Sequence, residues 1–248
     1  MMRTKRSIKI AAKTSRFRLS HPSRHGLHNN KTSKKSDFKS PTFAVESEVW
    51  SMGCKYVCGL DEAGRGAWAG PLVTAAVVLP DCIKKFPFRD SKDLKEEERE
   101  KMFKMIQKEA VSFSVAVLEN TQIDKLGIQT ATYICFDRSI SDLKVKPDFL
   151  LIDYYRLPGS KILQRSIKFG DRISMSIAAA SIVAKVTRDK IMKDLSRKKA
   201  AKNYSFDRNF GYGTKDHRQR IKEFGISTHH RKTYCRFDSD TQKSFNFL

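Results

Sequence analysis

Acidic residues are missing from the first 36 positions, while residues 1–46 as a whole hold 12 Lys/Arg against 2 acids. A segment rich in Lys, Arg, Ser and Asn cannot bury enough apolar surface to offset the entropy of ordering. Residues 1–46 are therefore expected to be a flexible basic arm. The same composition fits an organelle transit peptide, or a nucleic-acid arm or nuclear signal. Cysteine is scarce as well: five, at 54, 58, 82, 135 and 235, an odd number with no pair at metal-site spacing. That argues against a disulfide framework or a zinc knuckle and for buried thiols in a reducing compartment. No apolar run approaches the ~20 residues needed to cross a bilayer. The longest, around LVTAAVVLP, has strand length, so no membrane partner is expected. No internal repeat is visible.

At 248 residues the chain can bury one good-sized core plus an appendage. Its formal charge of +22 is unevenly spread: residues 47–184 hold 20 Lys/Arg against 18 acids, residues 185–248 hold 17 against 7. A near-neutral body between two basic ends is not something folding requires. A polyanionic partner accounts for it, nucleic acid ahead of an acidic membrane surface or plain solubility.

Apolar, β-branched runs alternate with amphipathic ones. KYVCGLD, PLVTAAVVL, VSFSVAVLE and PDFLLIDYY read as strands, with SIKFGD a shorter one. LKEEEREKMFKMIQKEA, TQIDKLGIQTATYICFDRSISDL, SMSIAAASIVAKVTRDKIMKDLSRKKA and KDHRQRIKEFG read as helices. Interleaved strands and helices mean an α/β sheet with helices packed on it. Asp61 and Glu62 are expected to end the first strand, Asp153 ends FLLID, and Asp171 follows SIKFG. Carboxylates at strand ends converge readily at one edge of a sheet. They would form a hard-oxygen site suited to Mg²⁺ or Mn²⁺, and their mutual repulsion makes a cation their natural partner. Taken singly, an Asp at a strand end is more often a turn or cap residue.

DEAGRGAWAGP at 61–71 resembles the signature of type 2 ribonuclease H, specifically bacterial-type ribonuclease HII. DSKDL (90–94), PDFLLID (147–153), GDRISMSIAAASIVAKVTRD (170–189), GYGTKDH and FGISTHHRKTY follow in the matching order, over roughly 55–236. The resemblance implies a ribonuclease H-like fold, with a mixed central sheet flanked by helices. The catalytic domain would span 47–248, with a C-terminal helical part from about 190. It implies endonucleolytic cleavage of RNA in RNA–DNA hybrids and incision 5′ of single ribonucleotides in duplex DNA, leaving 3′-hydroxyl and 5′-phosphate ends. Asp61, Glu62 and Asp153 would be the principal ligands of Mg²⁺ or Mn²⁺, with Asp171 completing a second site. Backbone of Gly64, Arg65 and Gly66 would read the ribose 2′-OH, and Arg65 would approach a phosphate. Tyr212 would stack on the deoxyribose that follows the ribonucleotide. Lys92, Lys185 and Arg188 are expected to contact phosphates, making binding salt-dependent. A cytoplasmic monomer is expected, or an organellar or nuclear protein if the basic segment is a targeting signal.

Some residues depart from the family pattern. Tyr154 follows the third acid where glycine is usual, and Ala67-Trp68 follows GRG where proline is common. NFGYGT replaces HKGYGT. Tyr154 raises an alternative, a hybrid-binding relative that has lost turnover, although the four acids speak against it. A nuclease with broader action on DNA is a third reading. His229 and His230 read as a polar surface pair.

Overall fold

The computed structural model describes residues 40–81 and 95–235; Lys92, Cys82 and residues 1–39 of the expected arm lie outside them. The sheet has five strands: β1 (Val57–Ala63), β2 (Leu72–Val78), β3 (Ser112–Leu118), β4 (Phe149–Asp153) and β5 (Leu163–Ile167). Their order is β3-β2-β1-β4-β5. Strand β2 runs antiparallel to β1 and β3, whereas β4 runs parallel to β1 and β5. The sheet is therefore mixed, and the α/β expectation holds.

Period-two alternation assigns the two faces. Val73, Ala75 and Val77 pack with Ile106 of α2 (Glu96–Glu109) and with Ala178, Ile182 and Val183 of α5 (Met175–Ser196). Ala76 and Val78 join Cys58, Leu60, Leu150, Ile152 and Phe136 on the opposite face. Phe136 belongs to α4 (Ile128–Ser141), which is separated from α3 (Asn120–Leu126) by Gly127 at φ 76°. The single helix expected over 121–143 is thus two helices, because a left-handed residue breaks the ladder.

Helix α5 lies unusually close to β1. A methyl group on Gly59 would stand 2.1 Å from the Ser176 carbonyl carbon, so only glycine permits this approach. The start of α5 is doubly capped: the Ser174 hydroxyl accepts from Ile177 N–H at 3.2 Å and itself donates to Glu46 at 2.6 Å. The same Glu46 oxygen accepts from Ser176 N–H at 2.8 Å, a carboxylate placed at a helix N-terminus. Glu46 is fully buried and sits in α1 (Ala44–Ser51). Backbone bonds tie Thr42 to Ile173 and Met175. Residues 42–46, assigned above to the arm, are therefore part of the folded body.

Helix α5 continues to Ser196, so the C-terminal helical part starts with the 3-10 turn Lys199–Tyr204 rather than near 190. It continues through α6 (Phe206–Asn209) and α7 (Lys215–Phe224), where Tyr204, Phe206 and Ile221 pack with Met192 of α5.

Candidate active site

Strand β1 does not end at the acids. It pairs with β2 as far as Ala63↔Val73, with Asp61↔Ala75 and Glu62↔Thr74 between, but its pairing with β4 stops at Leu60↔Ile152. Asp61 and Glu62 thus lie where β1 has lost one neighbour, beside Asp153 at the end of β4. Alternation sends Asp61 toward α5, where Ser181 hydrogen-bonds its carboxylate. Asp61 also accepts from Glu62 N–H at 2.8 Å. It is only 6% exposed. Burial foremost, then the charges of Glu62 and Asp153, hold its pKa well above the ordinary carboxylate range. Asp153 accepts from Gly170 N–H at 2.7 Å, which draws the 3-10 turn Gly170–Arg172, and Asp171 with it, against the site. Asp171 is itself buried. The fold therefore gathers Asp61, Glu62 and Asp153 at one sheet edge and holds the turn that carries Asp171 against Asp153.

These carboxylates fit a hard divalent cation in donor type and in charge, since a cation would offset both the burial and the repulsion that keep Asp61 inclined to hold its proton. Among the described residues, no three carboxylate, histidine or cysteine side chains are already grouped around one ion position.

The glycine-arginine-glycine loop follows β1. Gly64 has φ +89°, and a methyl group there would meet the Arg188 side chain at 1.9 Å; Gly66 has nothing within 4 Å of the same position. One glycine is needed for what lies beneath the loop, and the other leaves open space above it. Arg65 donates to Gln129 at 3.1 Å and lies 5.1 Å from the centre of the Tyr155 ring. Burial, then the charge of Glu62, raises the Tyr155 pKa.

Two buried guanidiniums hold the loop from below. Arg188 donates to the carbonyls of Pro71 at 2.9 Å and Ala69 at 3.1 Å. Arg231 donates twice to Gly70 O, at 3.1 and 3.0 Å, and to Arg65 O at 3.0 Å. Tyr234 adds a hydroxyl donor to Arg65 O at 3.1 Å. Burial lowers both arginines; with repulsion from Arg188 added, Arg231 falls to about 10, still charged at neutral pH. Arg188 was expected at a phosphate, but at 0% exposure it cannot meet one. Its charge instead underlies the loop, and the Tyr212 ring rests 5.2 Å from it. Lys185 pairs with Asp189 at 2.7 Å, and its Nζ lies 4.7 Å from the centre of the Phe210 ring.

Trp68 packs under the second glycine-rich turn. Its backbone N–H donates to Gly211 O at 2.8 Å, and a methyl group on Gly213 would strike its ring at 2.6 Å. Tyr154, the residue after Asp153, has φ 61°. A left-handed backbone explains why glycine would suit that position.

His230 is not a surface residue but is 1% exposed, facing His217 at 3.0 Å between Nε2 atoms. The network fixes the tautomers. His217 Nδ1 donates to Tyr212 O at 2.9 Å, and His230 Nδ1 accepts from Ser227 N–H at 2.9 Å. His230 Nε2 must then donate to His217 Nε2, and protonating either ring would set two N–H groups against each other. Burial and His217 accordingly push the His230 pKa down to about 3. The pair stabilises the fold fully above the ordinary histidine value near 6.5 and loses that contribution as pH falls toward about 3. Melting temperature should drop across this window more steeply in the native chain than in His230→Gln; parallel profiles would refute the assignment.

Sequence reasoning missed Arg231, Tyr155, Gln129 and Ser181 as site residues. Arg231 stood in plain view within HHRKTY, but its burial is set by segments far away in the chain.

Among the described residues no helix is long and apolar enough to cross a membrane. A family model described as Ribonuclease HII matches residues 58–237. A ribonuclease HII of Sulfurihydrogenibium sp. (strain YO3AOP1) is 46% identical over 190 residues, covering 77% of this chain and 95% of the relative. One of Dehalococcoides mccartyi is 43% identical over 198 residues, covering 79% and 93%. In fold, the chain is similar to ribonuclease H2 from Pyrococcus horikoshii OT3, with TM-score 0.64 and 23% identity over 78% of this chain and 100% of that one. It is also similar to the RNase HII solved in complex with PCNA from Archaeoglobus fulgidus, with TM-score 0.61, 25% identity and coverage of 77% and 100%.

Proposed function

The chain belongs to the ribonuclease HII family, endoribonucleases that act on RNA–DNA hybrids, and on that premise we propose that it also incises 5′ of single ribonucleotides embedded in duplex DNA. In this reading Asp61, Glu62 and Asp153 hold Mg²⁺ or Mn²⁺, with Asp171 completing a second position. The observation that carries it is the end of the β1–β4 pairing, which sets Asp61 and Glu62 beside Asp153, where burial and the neighbouring charges raise the Asp61 pKa. Folding alone gains nothing from a buried carboxylate beside two more. The chemistry such ions supply when bound is activation of water and neutralisation of charge at the phosphodiester.

The remaining roles fall to the chain itself. The open space over Gly66 lets a sugar approach the loop backbone, where N–H and C=O groups can tell a ribose 2′-OH from a deoxyribose. Tyr155 and Gln129 aim the Arg65 guanidinium beside the acids. Arg188 and Arg231 place fixed positive charge beneath a loop that must receive a polyanion. Tyr212, resting on Arg188, offers its ring to the sugar that follows the ribonucleotide.

The deciding experiment uses a labelled DNA duplex carrying one ribonucleotide, with Mg²⁺, Mn²⁺ or EDTA. The expected result is a single cut on the 5′ side of the ribonucleotide, abolished by EDTA, with an all-DNA duplex left intact. Binding without cutting in either metal would favour the catalytically silent hybrid-binder. Equal cutting of the all-DNA duplex would remove the role given to the loop.

A further inference from the structure

Two exposed aromatic rings stand beside the carboxylates. Tyr154 is 61% exposed and Phe169 50% exposed. Strands β4 and β5 pair through Asp153↔Ile167, so Tyr154 lies one residue and Phe169 two residues beyond the last rung. They belong to the segments that carry Asp153 and Asp171. Both have left-handed backbones, at φ 61° and 58°. Such a conformation costs a non-glycine residue about 1–2 kcal/mol, and an exposed ring returns little of it through burial. Folding therefore does not account for aromatic residues at these two positions.

The surroundings indicate the ligand. The run from Tyr154 to Gly170 contains Arg156, Lys161, Arg165 and Lys168 and no acid. Arg165 is paired with Glu48 at 2.7 Å, whereas Arg156, Lys161 and Lys168 are exposed. Lys168 Nζ lies 5.4 Å from the centre of the Phe169 ring. The Tyr154 ring is braced edge-on against Tyr155 at 5.3 Å. Exposed rings flanked by cations are how proteins bind unpaired nucleotides, with bases stacking on the rings and phosphates meeting the cations. A base inside a duplex has both faces covered, so a surface ring can stack only on one that has left the helix.

We propose that Tyr154 and Phe169 form a ledge that stacks a nucleotide displaced from the duplex next to the carboxylates, with Arg156, Lys161 and Lys168 facing its phosphates. The chain would then prefer ribonucleotide sites whose neighbours are mismatched or frayed over fully paired ones. This rests on the proposed incision only in taking a ribonucleotide-bearing duplex as the ligand.

The test measures binding in EDTA, so that it does not depend on cutting. One probe is a fully paired duplex with a single ribonucleotide. The other carries mismatches on the flanking nucleotides, one of them 2-aminopurine. The native chain should bind the mismatched probe about 5- to 100-fold more tightly for one stacked base, with altered 2-aminopurine fluorescence. The double variant Tyr154→Asn/Phe169→Asn should lose that preference, because asparagine tolerates the left-handed backbone but offers no ring. Tyr154→Phe should keep it. An unchanged ratio in the double variant, or no preference in the native chain, overturns the ledge. So does concentration-dependent dimerisation abolished by the double variant, which would assign the rings to a second copy. Failure to cut the paired ribonucleotide duplex would defeat the incision reading and leave this binding ratio standing.

Discussion

Asp61→Asn is expected to reduce cutting of RNA–DNA hybrids by more than about 100-fold, since loss even of groups that merely support metal ligands costs about 10–100-fold. In EDTA the same change should make the protein more stable. The Asp61 carboxylate is buried beside Glu62 and Asp153, and its pKa is raised. A carboxylate whose folded pKa lies above its unfolded one favours the native state when protonated, and this contribution fades as pH rises from about 4 through the raised value. At neutral pH the native chain carries the repulsion, and asparagine removes it. Each 1 kcal/mol of relief corresponds to roughly 2–4 °C in melting temperature at this size. The gain should be larger at pH 7.5 than at pH 4. Mg²⁺ should raise the melting temperature of the native chain more than that of the variant. Calorimetry with and without Mg²⁺ checks both halves; undiminished cutting, or a lower melting temperature in EDTA at pH 7.5, would refute the assignment.

Arg231→Met should be the most damaging change outside the acids. It strips the donors from the buried Gly70 O and one of two donors from the half-buried Arg65 O. Leaving the buried Gly70 carbonyl without these donors costs about 1–3 kcal/mol, and losing one of the two bonds to Arg65 O costs about 0.5–1.5 kcal/mol, so a loss of about 2–4 kcal/mol and roughly 4–15 °C is expected. Relief of repulsion between Arg231 and Arg188 offsets part of this. Arg231→Lys should recover little, because an ammonium cannot span two carbonyls as a planar fork does. Assayed at a temperature where the variant remains folded, cutting should still fall, because the loop that carries Arg65 has lost its anchor. Native-like activity in a folded Arg231→Met protein would show that the loop holds its shape unaided.

The fold was largely legible because its elements are locally periodic. The fully buried β2 is a continuous apolar run, β3 alternates, and α5 shows its small-residue face in the order of its alanines. Asp61, Glu62 and Asp153 stand out as a group because each lies at or near the end of such a run, although β1 continues to Ala63. What escaped was decided by partners distant in sequence. Arg188 looks like a solvated helix charge until Ala69 and Pro71, 119 and 117 residues away, cover it. His230 looks like half of a surface pair until α7 brings His217 against it. The reach of β1 past its acids depends on β2 pairing there while β4 does not, an asymmetry no single strand encodes. Gly127, by contrast, was visible within its helical pattern, and its positive φ is what divides that helix.

The clasp on the loop also sets an order in time. The acids and the loop emerge early in synthesis, yet Arg65 O waits for Arg231, 166 residues later, and Gly70 N–H waits for His229 O. At about 5–20 residues per second that interval is on the order of 10–30 s. A nascent chain, or one cut short before residue 229, carries its carboxylates with an unfastened reading loop. Cutting is therefore expected to wait until residues 229–231 have been made and have closed on the loop.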